Sequence, residues 1–181
     1  MTLREQEFRQ DDTTARLDGV EAYWRGLARQ GLAPPRAAID PHEIGEALPF
    51  MFLLDAVAPG VGRLRIAGRE ICEIAGGEAR GLPLSCLFAA SARPRLAGLL
   101  KRAFEAHHPC RAPLIATRAA RGRRCAELLL LPLLPRAGLP PQILGALSHD
   151  LRAGMHRFDF AGPVRIGAPP AQRPALRLVR G

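Results

Sequence analysis

The residues of this chain that could carry chemistry form no catalytic or metal-binding pattern. No two cysteines have the C-x-x-C spacing of a zinc or redox site, and no histidines have the H-E-x-x-H arrangement of a zinc enzyme. The cysteines are Cys72, Cys86, Cys110 and Cys125, and the histidines are His42, His107, His108, His149 and His156. No serine stands in a G-x-S-x-G elbow, and the single lysine, Lys101, follows no glycine-rich phosphate loop. We therefore predict that the chain is not an enzyme and has no metal site.

Positive charge is unevenly distributed along the chain. The net charge is +9, with −4 on residues 1–60 and +13 on residues 61–181. The densest basic cluster, a candidate anion-binding site, consists of Arg118, Arg121, Arg123 and Arg124. This cluster either binds a nucleic acid or another anionic surface, or forms a solvated hairpin tip. No aromatic residue lies between Glu105 and Arg157 to stack on bases, which favours the solvated tip and leaves nucleic-acid binding as the alternative.

Length and composition predict one domain without a membrane span. The chain has 181 residues, of which 48% are hydrophobic, so it can bury one core. No apolar run reaches 18 residues, and the polar start does not resemble a signal peptide. We therefore expect a cytoplasmic protein whose cysteines are free and pack as small hydrophobic side chains.

The N-terminal third of the chain predicts an amphipathic helix followed by a capped turn. Helical spacing places Val20, Tyr23, Trp24, Leu27 and Ala28 on one face, with Asp18 as the N-cap and Gly31 as the end. A second N-cap is expected at Asp40, before Pro41.

Hydrophobic patterning predicts five strands separated by helices. The strands are expected at residues 48–57, 64–66, 111–119, 125–134 and 142–148, with Pro132 marking an edge strand or a bulge. Helical segments are expected at 70–75, at 84–88 and, capped by Ser91, at 91–107. This order predicts an α+β fold, in which a five-stranded antiparallel sheet carries short helices and one long helix on one face. We divide the chain into a flexible N-terminus at 1–17, a domain at 18–150 and a basic Pro/Gly-rich tail at 151–181, with a short strand at 176–179.

Several short phrases occur in an order that resembles a bacterial PAS-like family, PAS family five. They are Tyr23-Trp24-x-x-Leu27, Pro35-Arg36-x-x-Ile39-Asp40-Pro41-x-Glu43-Ile44, Leu48-Pro49-x-x-Phe52-Leu53-Leu54-Asp55, Arg65-Ile66-Ala67-Gly68 and Leu131-Pro132-Leu133. The resemblance covers residues 19–150 and agrees with the predicted element order. It implies a sensory or regulatory module that binds a small ligand, a protein or both. The output must then pass to another protein, because no output sequence fits in the 31 residues after 150.

The resemblance places a candidate ligand pocket between the sheet and the short helices. Its expected lining is Phe52, Leu54, Ile71, Ile74, Leu84, Phe88, Leu100, Phe104 and Leu130. The cofactor is left open. Haem is disfavoured because the His107-His108 pair sits at a helix end, where it suits the helix dipole. A light-sensing flavin is disfavoured because no cysteine stands in an Asn-Cys-Arg phrase.

Two further groups of residues, one on the first helix and one in the connector after it, each have two open interpretations. Tyr23 and Trp24 either line a pocket or dimer seam, or anchor the helix on the sheet, which we favour. Arg36 either binds an anionic ligand or forms an ion pair with Asp40. We favour the ion pair, in which Asp40 also caps a helix that has Glu43 in its first turn. As partners we expect a second copy of the chain and another signalling protein.

Overall fold

A computed structural model describes residues 3–29, 31–117, 125–151 and 154–168 of the chain, without the side chains of 3–11 and 125. Four α-helices are present in this part: α1 (Leu3–Leu27), α2 (Pro41–Ile44), α3 (Arg69–Ala75) and α4 (Arg93–Ala106). Short 3-10 segments occupy Arg36–Ala38, Gly45–Phe50, Leu84–Leu87 and Ala90–Ala92. No helix among the described residues has both the length and the apolar character needed to cross a bilayer.

All strands of the described chain belong to one antiparallel sheet. They are β1 (Met51–Ala58), β2 (Val61–Ala67), β3 (Cys110–Ala116), β4 (Cys125–Pro132), β5 (Gln142–His149), β6 (Phe158–Phe160) and β7 (Arg165–Ile166). Their order is β2-β1-β5-β4-β3-β6, and β7 also pairs with β3. The five predicted strands are thus all present, and two short strands are added from the region that we predicted as a tail.

Two hydrophobic clusters lie on opposite faces of the sheet. The first, which we call the inner core, packs α3, α4 and the 3-10 segment Leu84–Leu87 against one face. The second, the outer core, packs α1 and the 39–47 connector against the other face. The α+β class and the position of the long helix agree with the predictions, because alternating strand residues must bury side chains on both faces.

The first helix begins earlier than the sequence pattern predicted. It starts at Leu3, so Asp18 lies inside it and does not cap it. The reason is tertiary: Thr13 and Leu17 are buried on the same stripe as Val20 and Trp24, and packing on the sheet outweighs weak local signals. The helix ends at Leu27, and Gly31, with φ of 77°, lies in the turn between Arg29 and Leu32.

Two further details of the local prediction are wrong. Pro132 lies in β4, which is internal to the sheet, and is tolerated because it is the last residue of that strand. Ser91 does not cap the long helix, whose N-cap is Ala92. The Ser91 hydroxyl instead donates a hydrogen bond to the carboxylate of Asp159 at 3.1 Å, because β6 folds back beside it.

The chain after β5 returns to the sheet edge within the described residues. β6 pairs with β3 at Leu114–Ala116, and β7 pairs with it at Cys110 and Arg111. The end of this segment reaches α1, where the Arg25 guanidinium donates to the carbonyl oxygen of Ala168 at 3.4 Å. The predicted strand at 176–179 lies outside the described residues.

Candidate functional site

The nine predicted pocket residues all lie together in the inner core. Each is at most 8% exposed, and they contact one another within a single cluster. The surface cavities beside α1 and beside α3 are lined by other residues. The structure therefore brings the predicted set together, while its role as a ligand pocket stays a prediction.

On the opposite face, α1 is anchored to the sheet by one buried aromatic residue. Trp24 is fully buried, and its indole N–H donates a hydrogen bond to the carbonyl oxygen of Pro132 at 2.9 Å. Leu17 and Val20 fill the same interface between α1 and the sheet. Trp24 thus takes the anchoring role that we favoured from the sequence, with a hydrogen bond that the pattern did not reveal.

A second anchor ties the middle of α1 to the end of β5. The Arg16 guanidinium donates to the Ser148 hydroxyl at 2.6 Å and lies 4.1 Å from the centre of the Phe50 ring. Phe50 in turn meets the His149 ring edge-on, with 5.4 Å between ring centres. This arrangement joins α1, the 45–50 segment and β5 in one polar-aromatic contact.

His149 is a buried histidine that sequence analysis did not single out. It is 6% exposed, and its Nδ1 accepts the backbone N–H of Leu151 at 3.2 Å. Within the described residues its Nε2 is buried without a hydrogen-bond partner. The pKa of His149 is lowered to about 4, chiefly by burial and also by the nearby charges of His156 and Arg16, while Glu70 and Asp150 oppose the shift. The imidazole is therefore neutral at pH 7.

A third anchor is a buried network of charges between α1 and the strands β3 and β4. Arg111 is 7% exposed; its Nη2 donates a hydrogen bond to Glu127 Oε2 at 2.8 Å, and its Nε lies 2.7 Å from Glu127 Oε1 as an ion pair. Arg111 also bonds Asp18 of α1 and the carbonyl oxygen of Thr14. Burial alone lowers the pKa of Arg111, but the hydrogen bonds that its guanidinium donates to Glu127 and Asp18 outweigh burial and raise the pKa above its ordinary value.

The same network holds the C-terminal segment on the sheet. Arg165 of β7 donates to the Glu127 carboxylate at 2.8 Å. Glu127 therefore accepts from guanidinium groups on two strands, and through Arg111 it is linked to α1. Nothing in the local sequence around these residues indicates this network, because its members are separated by dozens of positions.

The connector after α1 is positioned by Tyr23 and Asp40. The backbone N–H of Asp40 donates to the Tyr23 hydroxyl at 2.7 Å, and the Asp40 carboxylate accepts from the backbone N–H of His42 at 2.9 Å, which confirms the predicted cap. Arg36 is exposed and has no ion pair with Asp40 among the described residues, so the predicted Arg–Asp pair is wrong. A 3-10 turn at Arg36–Ala38 separates the two groups.

A groove of about 560 Å³ runs between α1 and the segment 43–47. Among the described residues, its walls carry the carboxylates of Asp12, Glu43 and Glu46 and the guanidinium of Arg16. Three carboxylates against one guanidinium give this lining a net negative charge. Two predicted residues, Tyr23 and Glu43, thus lie in one groove, whereas Arg36 does not line it.

The remaining candidates carry no site in the described chain. The cluster Arg118, Arg121, Arg123 and Arg124 lies outside the described residues. Within them no group of three or more histidine, cysteine or acidic side chains is placed to hold a metal ion. Cys110 is buried, and burial raises the pKa of its thiol to about 11, which keeps it protonated and unreactive. His107 forms the end of α4 with a φ of 54°.

Sequence reasoning missed the polar residues that connect α1 to the sheet and to the end of β5. Arg16, Arg111, Glu127 and His149 are polar and were not part of any periodic pattern. One signal was available: Thr13 and Leu17 continue the stripe of Val20 and Trp24 at helical spacing, which would have extended the predicted helix toward its N-terminus.

Comparison with known proteins gives one match. The family model described as PAS domain, PAS family five, matches residues 13–148, which is well over half of the chain. No curated protein and no solved structure matches it. The matched span begins within α1 and ends in β5, so it includes the outer core, the inner core except Phe158, and the polar anchors of α1 at Arg16 and Arg111. Since the match agrees with the sheet and the helices of the structure, this chain belongs to the PAS domain family.

Proposed function

We propose that this chain is a regulatory module that acts through protein–protein contacts made on the α1 side of its sheet. PAS domains as a family are sensory and regulatory modules, generally without catalysis of their own. The partners of this module are a second copy of the chain and another signalling protein, which receives the output.

The observation that carries this proposal is that the inner core is filled by its own side chains. The residues expected to line a ligand pocket, such as Phe52, Ile74 and Leu100, are each at most 2% exposed and pack against one another. Side chains packed in this way leave little room for a ligand of ordinary size, since interiors of this kind approach the density of crystals. A filled inner core therefore favours contact with other proteins over a ligand bound inside that core.

The α1 side of the sheet has features that suit such contacts. Arg16 and Arg111 hold the helix through polar contacts. A purely apolar interface would contain no charges whose interactions change when a partner binds. The acidic groove beside α1 adds a recognisable surface. A protein that binds there changes the surroundings of the anchors directly, which couples binding to the position of α1.

Native mass spectrometry of the full chain tests the proposal. We expect masses that are whole-number multiples of 19.6 kDa without any stoichiometric addition. A small molecule that co-purifies at one copy per chain and leaves on denaturation would overturn the proposal in favour of ligand sensing. Retention of the molecule by a Leu100→Trp variant would further show that it does not occupy the inner core.

A further inference from the structure

We propose that the groove beside α1 is occupied by the chain's own C-terminal segment, residues 169–181, which binds there through arginine and leucine side chains. This inference rests on the proposed function, because it names what regulates access to the same groove. A signalling partner then gains this surface only by displacing the segment.

The last described residues of the chain are held beside the C-terminal half of α1. The backbone N–H of Gly167 donates to the carbonyl oxygen of Pro109 at 2.8 Å, and the Gly167 carbonyl oxygen lies 3.0 Å from Nδ1 of His108. The carbonyl oxygen of Ala168 accepts a hydrogen bond from Arg25 of α1. The segment that follows therefore starts on the flank of α1 that carries Arg25.

The C-terminal segment is long enough to reach the groove from this position. Its 13 residues span up to about 43 Å when extended, at about 3.3 Å per residue. Along the helix axis, Arg25 and Asp12 are only about 20 Å apart, because an α-helix rises about 1.5 Å per residue. Pro169, Pro170 and Pro174 favour an extended chain, which lowers the entropy lost on binding.

The route over α1 from Arg25 to the groove passes only small residues. Successive helical residues are rotated by about 100°, which places Ala22 and Gly26 between Arg25 and Gly19 of the groove. A Cβ added at Gly19 or Gly26 would meet nothing within 4 Å, so packing among the described residues requires neither glycine. Glycine destabilises a helix relative to alanine. Close approach of another backbone segment explains why both positions are glycine.

The charges of the segment and of the groove are opposite. The segment contains Arg173, Arg177 and Arg180 and no acidic residue, whereas the groove has three carboxylates against one guanidinium. Glu43 and Glu46 of the groove are exposed, and neither has an ion pair among the described residues. The arginines of the segment therefore supply the positive charges that these two carboxylates lack.

The apolar side chains of the segment match the floor of the groove. Val20 and Ile44 line the groove, and Val20 is buried at its base. In the strand predicted at 176–179, successive side chains point to opposite sides, so Leu176 and Leu178 share one side. With these leucines on the floor, the arginine between them is free to reach the carboxylates at the rim.

The covalent connection makes weak contacts sufficient for binding. A short connecting segment gives an effective concentration of about 1 mM, so a dissociation constant of about 0.1 mM already fills the groove about nine-tenths of the time. At a protein concentration of about 1 μM, the same segment of a second copy is about a thousandfold less concentrated. The chain's own segment is therefore favoured over that of a second copy.

Limited trypsin digestion of the full chain, followed by intact mass spectrometry, tests this binding. Trypsin cleaves after Arg177, whereas Arg173 precedes a proline and resists cleavage. A bound segment is cleaved only when it leaves the groove, so cleavage after Arg177 should be about tenfold slower in the chain than in the free peptide 169–181. Equal rates in the chain and in the peptide would overturn the proposal.

Charge reversal on either side should release the segment. Glu43→Arg with Glu46→Arg, or Arg173→Glu with Arg180→Glu, should each speed cleavage after Arg177 about fivefold, relative to the free peptide of the same sequence. The second pair leaves the folded domain unaltered. All four substitutions together restore opposite charges and should return the rate to within about twofold of that of the original chain. A fourfold variant without this rescue would contradict the proposal.

Glu78→Arg with Glu105→Arg is the matched control for the groove variant. Both residues are exposed and lie outside the groove, so this pair makes the same change in net charge elsewhere on the chain. The control should keep its circular dichroism and the slow cleavage of the original chain. Acceleration equal to that of the groove variant would show that net charge, and not the groove, controls cleavage.

The dependence on protein concentration identifies the occupant. Protection by the chain's own segment is equal at about 1 and 100 μM, whereas protection found only at the higher concentration would assign the groove to a second copy and overturn the proposal. An unprotected segment in a chain without a co-purified small molecule overturns this binding and leaves the proposed function standing. A stoichiometric ligand overturns the proposed function whatever the rate of cleavage.

Discussion

The ring of Phe52 in β1 lies over the backbone of Gly145, its direct partner in the register of β1 and β5. A Cβ at position 145 would overlap the Cε2 and Cζ atoms of that ring. Phe52 is 2% exposed and belongs to the inner core, so it has no free space into which to move. The glycine is therefore required by its neighbour, and its backbone has no unusual conformation.

Replacement of Gly145 by alanine should lower the free energy of unfolding by about 3 kcal/mol, because the added methyl group forces the Phe52 ring out of a packed site. Urea denaturation followed by circular dichroism measures this. The matched control is Gly98→Ala in α4, where the open surroundings predict a gain of about 0.5–1 kcal/mol. If both variants shift stability in the same direction, the packing argument fails.

Replacement of Trp24 by phenylalanine should destabilise the protein by about 2–4 kcal/mol. The smaller ring leaves a cavity, and the Pro132 carbonyl oxygen loses its buried donor. Thermal unfolding followed in the far ultraviolet measures the change. Tyr23→Phe serves for comparison, because the half-buried Tyr23 hydroxyl can be replaced by water and its loss should cost under about 1 kcal/mol.

Removing one charge of the buried network should lower the free energy of unfolding more than removing both charges of a pair. Arg111→Met or Glu127→Met alone should lower stability by about 3 kcal/mol, because the buried charge left behind loses its nearest partner and keeps only Arg165, for Glu127, or Asp18, for Arg111. The double variant Arg111→Met with Glu127→Met should cost clearly less than the sum of the single ones. A double-mutant cycle in urea checks this, and strictly additive losses would show that the pair does not interact.

The stability of the folded chain should decrease as the pH is lowered, because His149 titrates. Its pKa is about 4 in the folded chain and 6.5 as the ordinary value, so the unfolded chain binds a proton that the folded chain does not over that range. Stability is therefore complete above about pH 6.5 and is lost progressively toward pH 4, by about 3 kcal/mol in all.

A His149→Phe variant isolates this contribution to the pH dependence. Phenylalanine keeps a ring against Phe50 but cannot titrate, so the free energy of unfolding should vary less between pH 6.5 and 4 than it does in the original chain. Urea midpoints at several pH values provide the measurement. Parallel profiles for the two proteins would show that another group causes the dependence.

Much of the fold was predictable because it follows from local periodicity. The runs that became β1, β4 and β5 are apolar and short, and the stripe of α4 from Leu96 to Phe104 has helical spacing. The inner core was predictable for the same reason, since alternating strand residues and helix stripes can only bury one another. The ordered phrases around Trp24 and Asp40 identified the family.

Other features depend on contacts between distant residues and could not be read locally. The start of α1 at Leu3 and the return of β6 and β7 to β3 run through segments of weak hydrophobic pattern. The Arg36–Asp40 pair was suggested by spacing alone, but an intervening 3-10 turn separates the two side chains. The candidate site is the part most affected, because its anchors join α1 to strands that come much later in the chain.

The sequence by itself determined which faces are apolar, where most elements lie and the family to which the chain belongs. These follow from side-chain periodicity and short phrases, which are properties of neighbouring residues. Only the tertiary structure decided that Trp24 meets Pro132, that Arg111 joins Asp18 to Glu127, and that His149 is buried. Such contacts are set by how the sheet and helices pack, and burial within that packing lowers the pKa of the His149 imidazole.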